Sequence, residues 1–147
     1  MNQENTLTKI LKGSIILLLV AIFIECFYYI IGKARIQMTH LGSGNFKASS
    51  SEEIVFEYMR NEPFTISGYI NLKNMDDGDE VWIRQYVKLA VDDEYSLYAE
   101  EEYQGKQKEP LIHIEKLPAM RGIKVTIQQT KGEPKYFPWE FYGGVAG

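Results

Sequence analysis

Residues 64–72 read FTISGYINL, and in that stretch Phe64, Ile66, Ile70 and Leu72 recur at a period of two. Successive side chains of a strand point to opposite faces, so these residues make one apolar face and leave the other to water. Gly68 falls on the apolar face, where a missing side chain marks a bulge or the close approach of a neighbour. Further along, Ile123, Val125 and Ile127 alternate with Lys124, Thr126 and Gln128, again a strand with one wet face.

Working outward, the same pattern predicts strands over Ile54–Met59, Val81–Ala90, Tyr95–Tyr103, Leu111–Lys116 and Tyr136–Tyr142, seven in all. Turn residues separate them: Asp76-Asp77-Gly78-Asp79, Asp92-Asp93, Gly105, Pro118 and Gly132-Glu133-Pro134. No long helical period interrupts this alternation. The expectation is an all-β domain over 52–142, a sandwich of about seven strands with an immunoglobulin-like architecture. A small barrel is the alternative. About a hundred residues fill one modest core and leave no room for a second domain.

Upstream the composition changes. Residues 14–31 read SIILLLVAIFIECFYYII, 18 residues interrupted by a single charge, Glu25. As a helix this run covers about 27 Å, near the thickness of a bilayer's hydrocarbon core. Lys9 and Lys12 precede it, Lys33 and Arg35 follow it, and Tyr28 and Tyr29 sit near its second boundary. Such side chains suit the two headgroup layers. An acid near mid-membrane costs about 2.5–3.5 kcal/mol, whereas Leu, Ile, Val and Phe each return about 0.3–0.6 kcal/mol. Nine of these lie between Ile15 and Ile24, so insertion survives Glu25. The acid then needs a polar group on a neighbouring helix or a route to water, which makes Glu25 a candidate transmembrane contact.

A cleaved signal peptide is the rival reading. The basic start and apolar stretch fit it, but no small residue pair follows until Gly32 and Ala34. Glu25 also occupies the place where a lipoprotein signal needs a small residue before Cys26. The expected organisation is therefore a tail over 1–13, a transmembrane helix over 14–31, a flexible stalk over 32–51, the β domain, and a loose tail over 143–147. The stalk assignment rests on Gly42, Ser43, Gly44 and Ser49 to Ser51. Flanking charges balance and leave orientation open, but a short leading tail before a folded domain is the plan of a signal anchor. A single-pass protein of the cell membrane with an extracytoplasmic domain is expected.

Charge and residue scarcity narrow the chemistry. Residues 51–147 hold eleven Lys or Arg against eighteen Asp or Glu, an acidic domain poorly suited to nucleic acid. The single cysteine, Cys26, lies in the apolar run, so no disulfide braces the β domain. His40 falls in the expected stalk and His113 stands alone on a strand. Asp76, Asp77, Asp79 and Glu80 resemble the start of a calcium loop without its full spacing. Glu100 and Glu102 share a strand face, but neighbours on a strand do not make an acid–base pair. No catalytic residue, metal site or cofactor is assigned.

A binding surface is the better candidate. Trp82, Arg84, Tyr86 and Lys88 alternate along one strand opposite Val81, Ile83, Val87 and Leu89, and Tyr98 falls on the next strand. Trp, Tyr and Arg dominate protein interfaces, and a cation over an aromatic ring adds about 0.5–1 kcal/mol at exposed sites. Phe137, Trp139 and Phe141 share one side of the last strand and are expected in the core.

The leading functional expectation is a non-catalytic interaction or accessory subunit of a membrane or cell-surface complex, held in lipid through residues 14–31 and bound to a protein partner. Lys12-Gly13 before an apolar run and a β-rich head is also similar to a prepilin, with Gly13 as the processing glycine. That resemblance implies a filament subunit. Its fifth mature position would be Leu18, where pilins keep a glutamate, and Glu25 would be the twelfth. A surface carbohydrate-binding or hydrolytic module using the aromatic face is the third reading.

Overall fold

The computed structural model describes residues 12, 18–25, 37–119 and 121–145. The chain divides into two compact units, residues 1–36 with 146–147, and Gln37–Val145. In the first, residues 18–25 are helical and Glu25 is exposed. Among the described residues no helix is long and apolar enough to cross a membrane. The remainder of the 14–31 run, with Tyr28, Tyr29 and Cys26, lies outside the described residues, as does Gly13.

The second unit is a β-sandwich of eight strands: β1 Gln37–Lys47, β2 Glu53–Met59, β3 Phe64–Asn71, β4 Glu80–Lys88, β5 Ser96–Gln104, β6 Leu111–Ala119, β7 Gly122–Lys131 and β8 Tyr136–Val145. One sheet has the order β1-β8-β3-β6 and the other β2-β7-β4-β5, with every pairing antiparallel. The pairs 4:5, 3:6, 2:7 and 1:8 are nested. They form one long antiparallel ribbon, bent at the β4–β5 turn and rolled into two layers, which is the jelly-roll arrangement.

The expected count of about seven strands, on which the immunoglobulin-like architecture rested, is therefore corrected, and so is the stalk. Its central part is β1, paired along its length with β8 from Gln37↔Val145 to Lys47↔Tyr136. The inward positions of β1 opposite Phe141 and Trp139 are Gly42 and Gly44. A Cβ at Gly44 would stand 3.1 Å from Trp139 Nε1, and one at Gly42 3.4 Å from its ring. The glycines that suggest loose chain are the floor on which an indole lies. At the other terminus Gly143, Gly144 and Val145 belong to β8 instead of a loose tail. The domain thus extends beyond 52–142 on both sides.

The core forms as the alternation predicts. Phe64, Ile66, Ile70 and Leu72 of the first sheet meet Val81, Ile83, Ile123, Val125 and Ile127 of the second, all buried. Phe137 and Phe141 are buried between the layers, with Trp139 packed against them. Phe56 lies 4.3 Å from Phe141, centroid to centroid, in a stacked pair. β3 and β4 do not form a hairpin, since they lie in opposite sheets, and residues 72–79 cross between the layers with Leu72 and Met75 buried. The turns at Asp76–Asp79 and Asp92–Asp93 still open at opposite ends of β4.

Candidate functional site

β4 turns Val81 and Ile83 into the core and leaves Trp82, Arg84, Tyr86 and Lys88 on the outer face. Cross-strand neighbours on that face are Glu102 and Glu100 of β5 and Gln128, Thr126 and Lys124 of β7. Glu52, just before β2, reaches over them. Its Oε1 accepts hydrogen bonds from the Tyr86 hydroxyl at 2.6 Å and the Thr126 hydroxyl at 2.6 Å, and Oε2 lies 3.3 Å from Arg84. Arg84 also donates to Glu100 and, at 2.9 Å, to Gln128 Oε1. Its Cζ stands 5.4 Å from the Trp82 ring, and Lys124 Nζ stands 4.5 Å from the Tyr86 ring.

Two of the expected contact residues are thus already engaged within the domain. Burial opposes the Arg84 charge, but Glu100 and Glu52 outweigh it and raise the guanidinium's pKa. Burial and then the Glu52 carboxylate push the Tyr86 hydroxyl up. At Glu52 itself burial acts upward, but hydrogen bonds from Thr126 and Tyr86, with Arg84 beside it, hold the carboxyl below its ordinary value. A carboxyl depressed in the folded state stabilises above its unfolded pKa, and that contribution is lost as pH falls through the folded pKa. Stability is therefore expected to drop as the pH is lowered below about 4.3, the ordinary glutamate value. Glu52→Gln should flatten that part of the profile, as measured by urea midpoints at successive pH values.

Tyr98 is the part of the expected surface that remains open. It lies at a register shift on β5, unpaired between Ala99, opposite Gln85, and Leu97, opposite Tyr86. β5 is an edge of its sheet. Leu97 and Tyr98 are 53% and 60% exposed, and Leu89 and Val91 in the adjoining turn are as open. The other half of the strand is acidic. Glu101 lies opposite Ile83, whose side chain is in the core, so it sets a charge on the inner side of the edge. That placement discourages uncontrolled pairing by other strands. The aromatic–cationic row and this edge form one continuous outer surface running from β7 across β4 to β5.

No protein-family model matches the chain. No curated protein matches it. Among solved structures it is similar to a subunit of Bacillus endospore appendages, a family of disulfide-linked pili, at 9% identity and TM-score 0.49, covering 78% of this chain and 94% of that one. It is also similar to a chain of infectious bursal disease virus Gt strain, at 11% identity and TM-score 0.46, covering 77% of this chain and 33% of that one. The VP2 subviral particle of infectious bursal disease virus gives 13% identity and TM-score 0.41, with 75% and 31% covered. The chain spans about a third of the length of these viral chains.

The other sheet's outer face brings together residues that reading along the chain kept apart. Ser67 Oγ lies 3.0 Å from His113 Nε2, and His113 Nδ1 lies 4.0 Å from Glu115. The order resembles a nucleophile, base and orienting acid, but the chemistry fails. The one Ser67 proton has two acceptors in reach, the Ile114 carbonyl at 3.2 Å and His113 Nε2, and Glu115 at 4.0 Å is beyond hydrogen-bond distance of His113, so no relay is assembled. Tyr69 stacks on His113 at 4.6 Å, which makes the group a packed surface cluster. His40, expected in a stalk, sits on β1 beside Glu140 at 3.4 Å and Tyr142. In the acidic turn, Asp76 pairs with Lys135 at 2.6 Å, and the buried Asp79 accepts the Asp76 amide at 2.7 Å.

Proposed function

We propose that the chain is a single-pass membrane-anchored interaction or accessory subunit of a membrane or cell-surface complex, with its β-sandwich outside the cytoplasm and no catalysis of its own. The observation that carries this reading is the β5 edge, where Leu97 and Tyr98 stand open on a strand paired on one side only, next to Leu89 and Val91. Adjacent exposed apolar side chains on a free edge mark a place where another protein docks, by side-chain contact or by strand addition. Trp82 and Lys88 flank that edge, while Arg84 and Tyr86 hold the surface rigid through Glu52. The anchor rests on the apolar run of residues 14–31. In its described part Leu18 and Phe23 are exposed, apolar surface that lipid would cover. Glu25 supplies the polar contact to a neighbouring transmembrane helix.

A photo-crosslinker placed at Tyr98 of the full chain, irradiated in membranes, is expected to yield one adduct of higher mass. The same probe at Glu115, on the opposite outer face, should yield none. Absence of an adduct at Tyr98, together with unchanged partner recovery after Glu25→Ala and Trp82→Ala in detergent extracts, removes the reading.

A second reading, a filament subunit processed at Gly13, is favoured by Lys12-Gly13 ahead of the apolar run. It requires a mature chain beginning at Ser14. Mass spectrometry finding Met1–Gly13 intact in the membrane form excludes it.

A further inference from the structure

One end of the sandwich carries a row of cations, one of which, Lys88, also ends the aromatic–cationic row of β4. The Arg60 amide donates to the Arg121 carbonyl at 2.9 Å, and the Arg121 amide donates to the Lys88 carbonyl at 3.1 Å. These bonds set three cationic residues side by side across β2, β7 and β4 where the strands end. The Arg121 guanidinium donates to the Asn61 carbonyl, and Lys88, in register with Gly122, has no ion pair among the described residues. Between their side chains lies a groove of about 360 Å³, lined by Met59, Arg60, Asn61, Lys88, Val91 and Arg121. Met59 and Val91 are 59% and 60% exposed, so the groove joins positive charge to open apolar surface. An amphiphilic anion matches both.

The position of this end narrows the ligand further. Gln37, where the domain begins, pairs with Val145, and β1 starts at the end where β2, β4 and β6 finish. Five residues, 32–36, separate Gln37 from the last residue of the apolar run. Fully extended they reach about 18 Å. Headgroup layers add about 5–8 Å beyond the hydrocarbon on each side. With the run lodged in lipid, that length is the upper limit on how far Gln37 stands from it, and the intervening sequence includes Lys33 and Arg35. Acids also lie here: Glu62 meets Arg60 at 3.4 Å, and Asp92, Asp93 and Glu94 occupy the turn between β4 and β5. They cancel any broad attraction to a negative surface, so binding depends on one group entering the groove.

We propose that this groove binds the phosphate of an anionic phospholipid drawn from the membrane that holds residues 14–31, with Met59 and Val91 against its glycerol and upper acyl carbons. The inference rests on the anchor proposed above. Each cation near a membrane surface contributes about fivefold to such binding.

The full chain carrying Cys26→Ser and Leu89→Cys, labelled with bimane at residue 89, is reconstituted in phosphatidylcholine vesicles containing a nitroxide lipid and increasing phosphatidylglycerol. Quenching is expected to rise with phosphatidylglycerol. Lys88→Gln should raise the half-maximal phosphatidylglycerol fraction about fivefold, and Lys88→Arg should restore it. Near-ultraviolet circular dichroism checks that both variants fold. Quenching indifferent to phosphatidylglycerol or to Lys88→Gln, in a chain that still floats with vesicles in alkaline carbonate, overturns the lipid site and leaves the anchor standing. Release by carbonate overturns both. Abolition of quenching by added inorganic phosphate assigns the groove to free phosphate and also overturns the lipid assignment.

Discussion

Phe141→Ala is expected to lower the free energy of unfolding by about 3–5 kcal/mol, the range for truncating a buried aromatic ring. The ring is 0% exposed and lies between the sheets, stacked on Phe56 at 4.3 Å and tilted against Trp139 at 5.9 Å. Neither neighbour can collapse into the gap, because each is held by its own strand. Single domains are stable by about 5–15 kcal/mol, so the variant should be close to unfolding at ambient temperature. Urea denaturation should show a lower midpoint at an unchanged slope. A loss below 1 kcal/mol would mean that the two layers do not meet at this ring.

Gly68→Ala is the second large effect, expected at about 1–3 kcal/mol. A Cβ at Gly68 would stand 2.6 Å from the Glu140 carbonyl oxygen and equally close to Phe141 Cε1. The first of these is backbone and cannot swing away. Because the methyl group and the ring claim one space, the two substitutions should couple. Phe141→Ala makes room for the new methyl, so the double variant should lose less than the sum of the singles, with the carbonyl clash remaining. Strict additivity would show that the side chains do not touch.

Gly68 also illustrates what was legible in the sequence. Its position on an apolar face predicts a bulge or a close approach, and both occur: the register shifts between Ile66 and Gly68, and Phe141 crosses above it. The strands with strict alternation, β3 and β7, put their apolar residues in the core because period two is a direct record of burial. The outward row from Trp82 to Lys88 was readable for the same reason. β1 was not, because two of its inward positions are glycines and the apolar group that fills them, Trp139, belongs to a strand about a hundred residues away. Strand order was hidden for a related reason. Nesting the first strand with the last depends on long-range pairing, and local turn signals between β3 and β4 suit a hairpin as well as a crossing between layers.

The surface was legible as composition and not as geometry. Trp82, Arg84 and Tyr86 predict an adhesive face, but nothing along the chain says that Glu52, more than thirty residues earlier, occupies Arg84 and Tyr86. Likewise Ser67 and His113 meet only because β3 and β6 pair. Each cluster is a property of the register, which patterns of residue type leave undetermined.

The pairing of Gln37 with Val145 has a practical side for anyone handling this molecule. A reporter inserted directly after Val145 would emerge beside Gln37, where the chain enters the domain. Label or cargo meant to stand clear belongs instead in the Gly105–Pro110 turn at the opposite pole, where Gly105 already adopts a left-handed backbone and the neighbouring side chains are open to solvent.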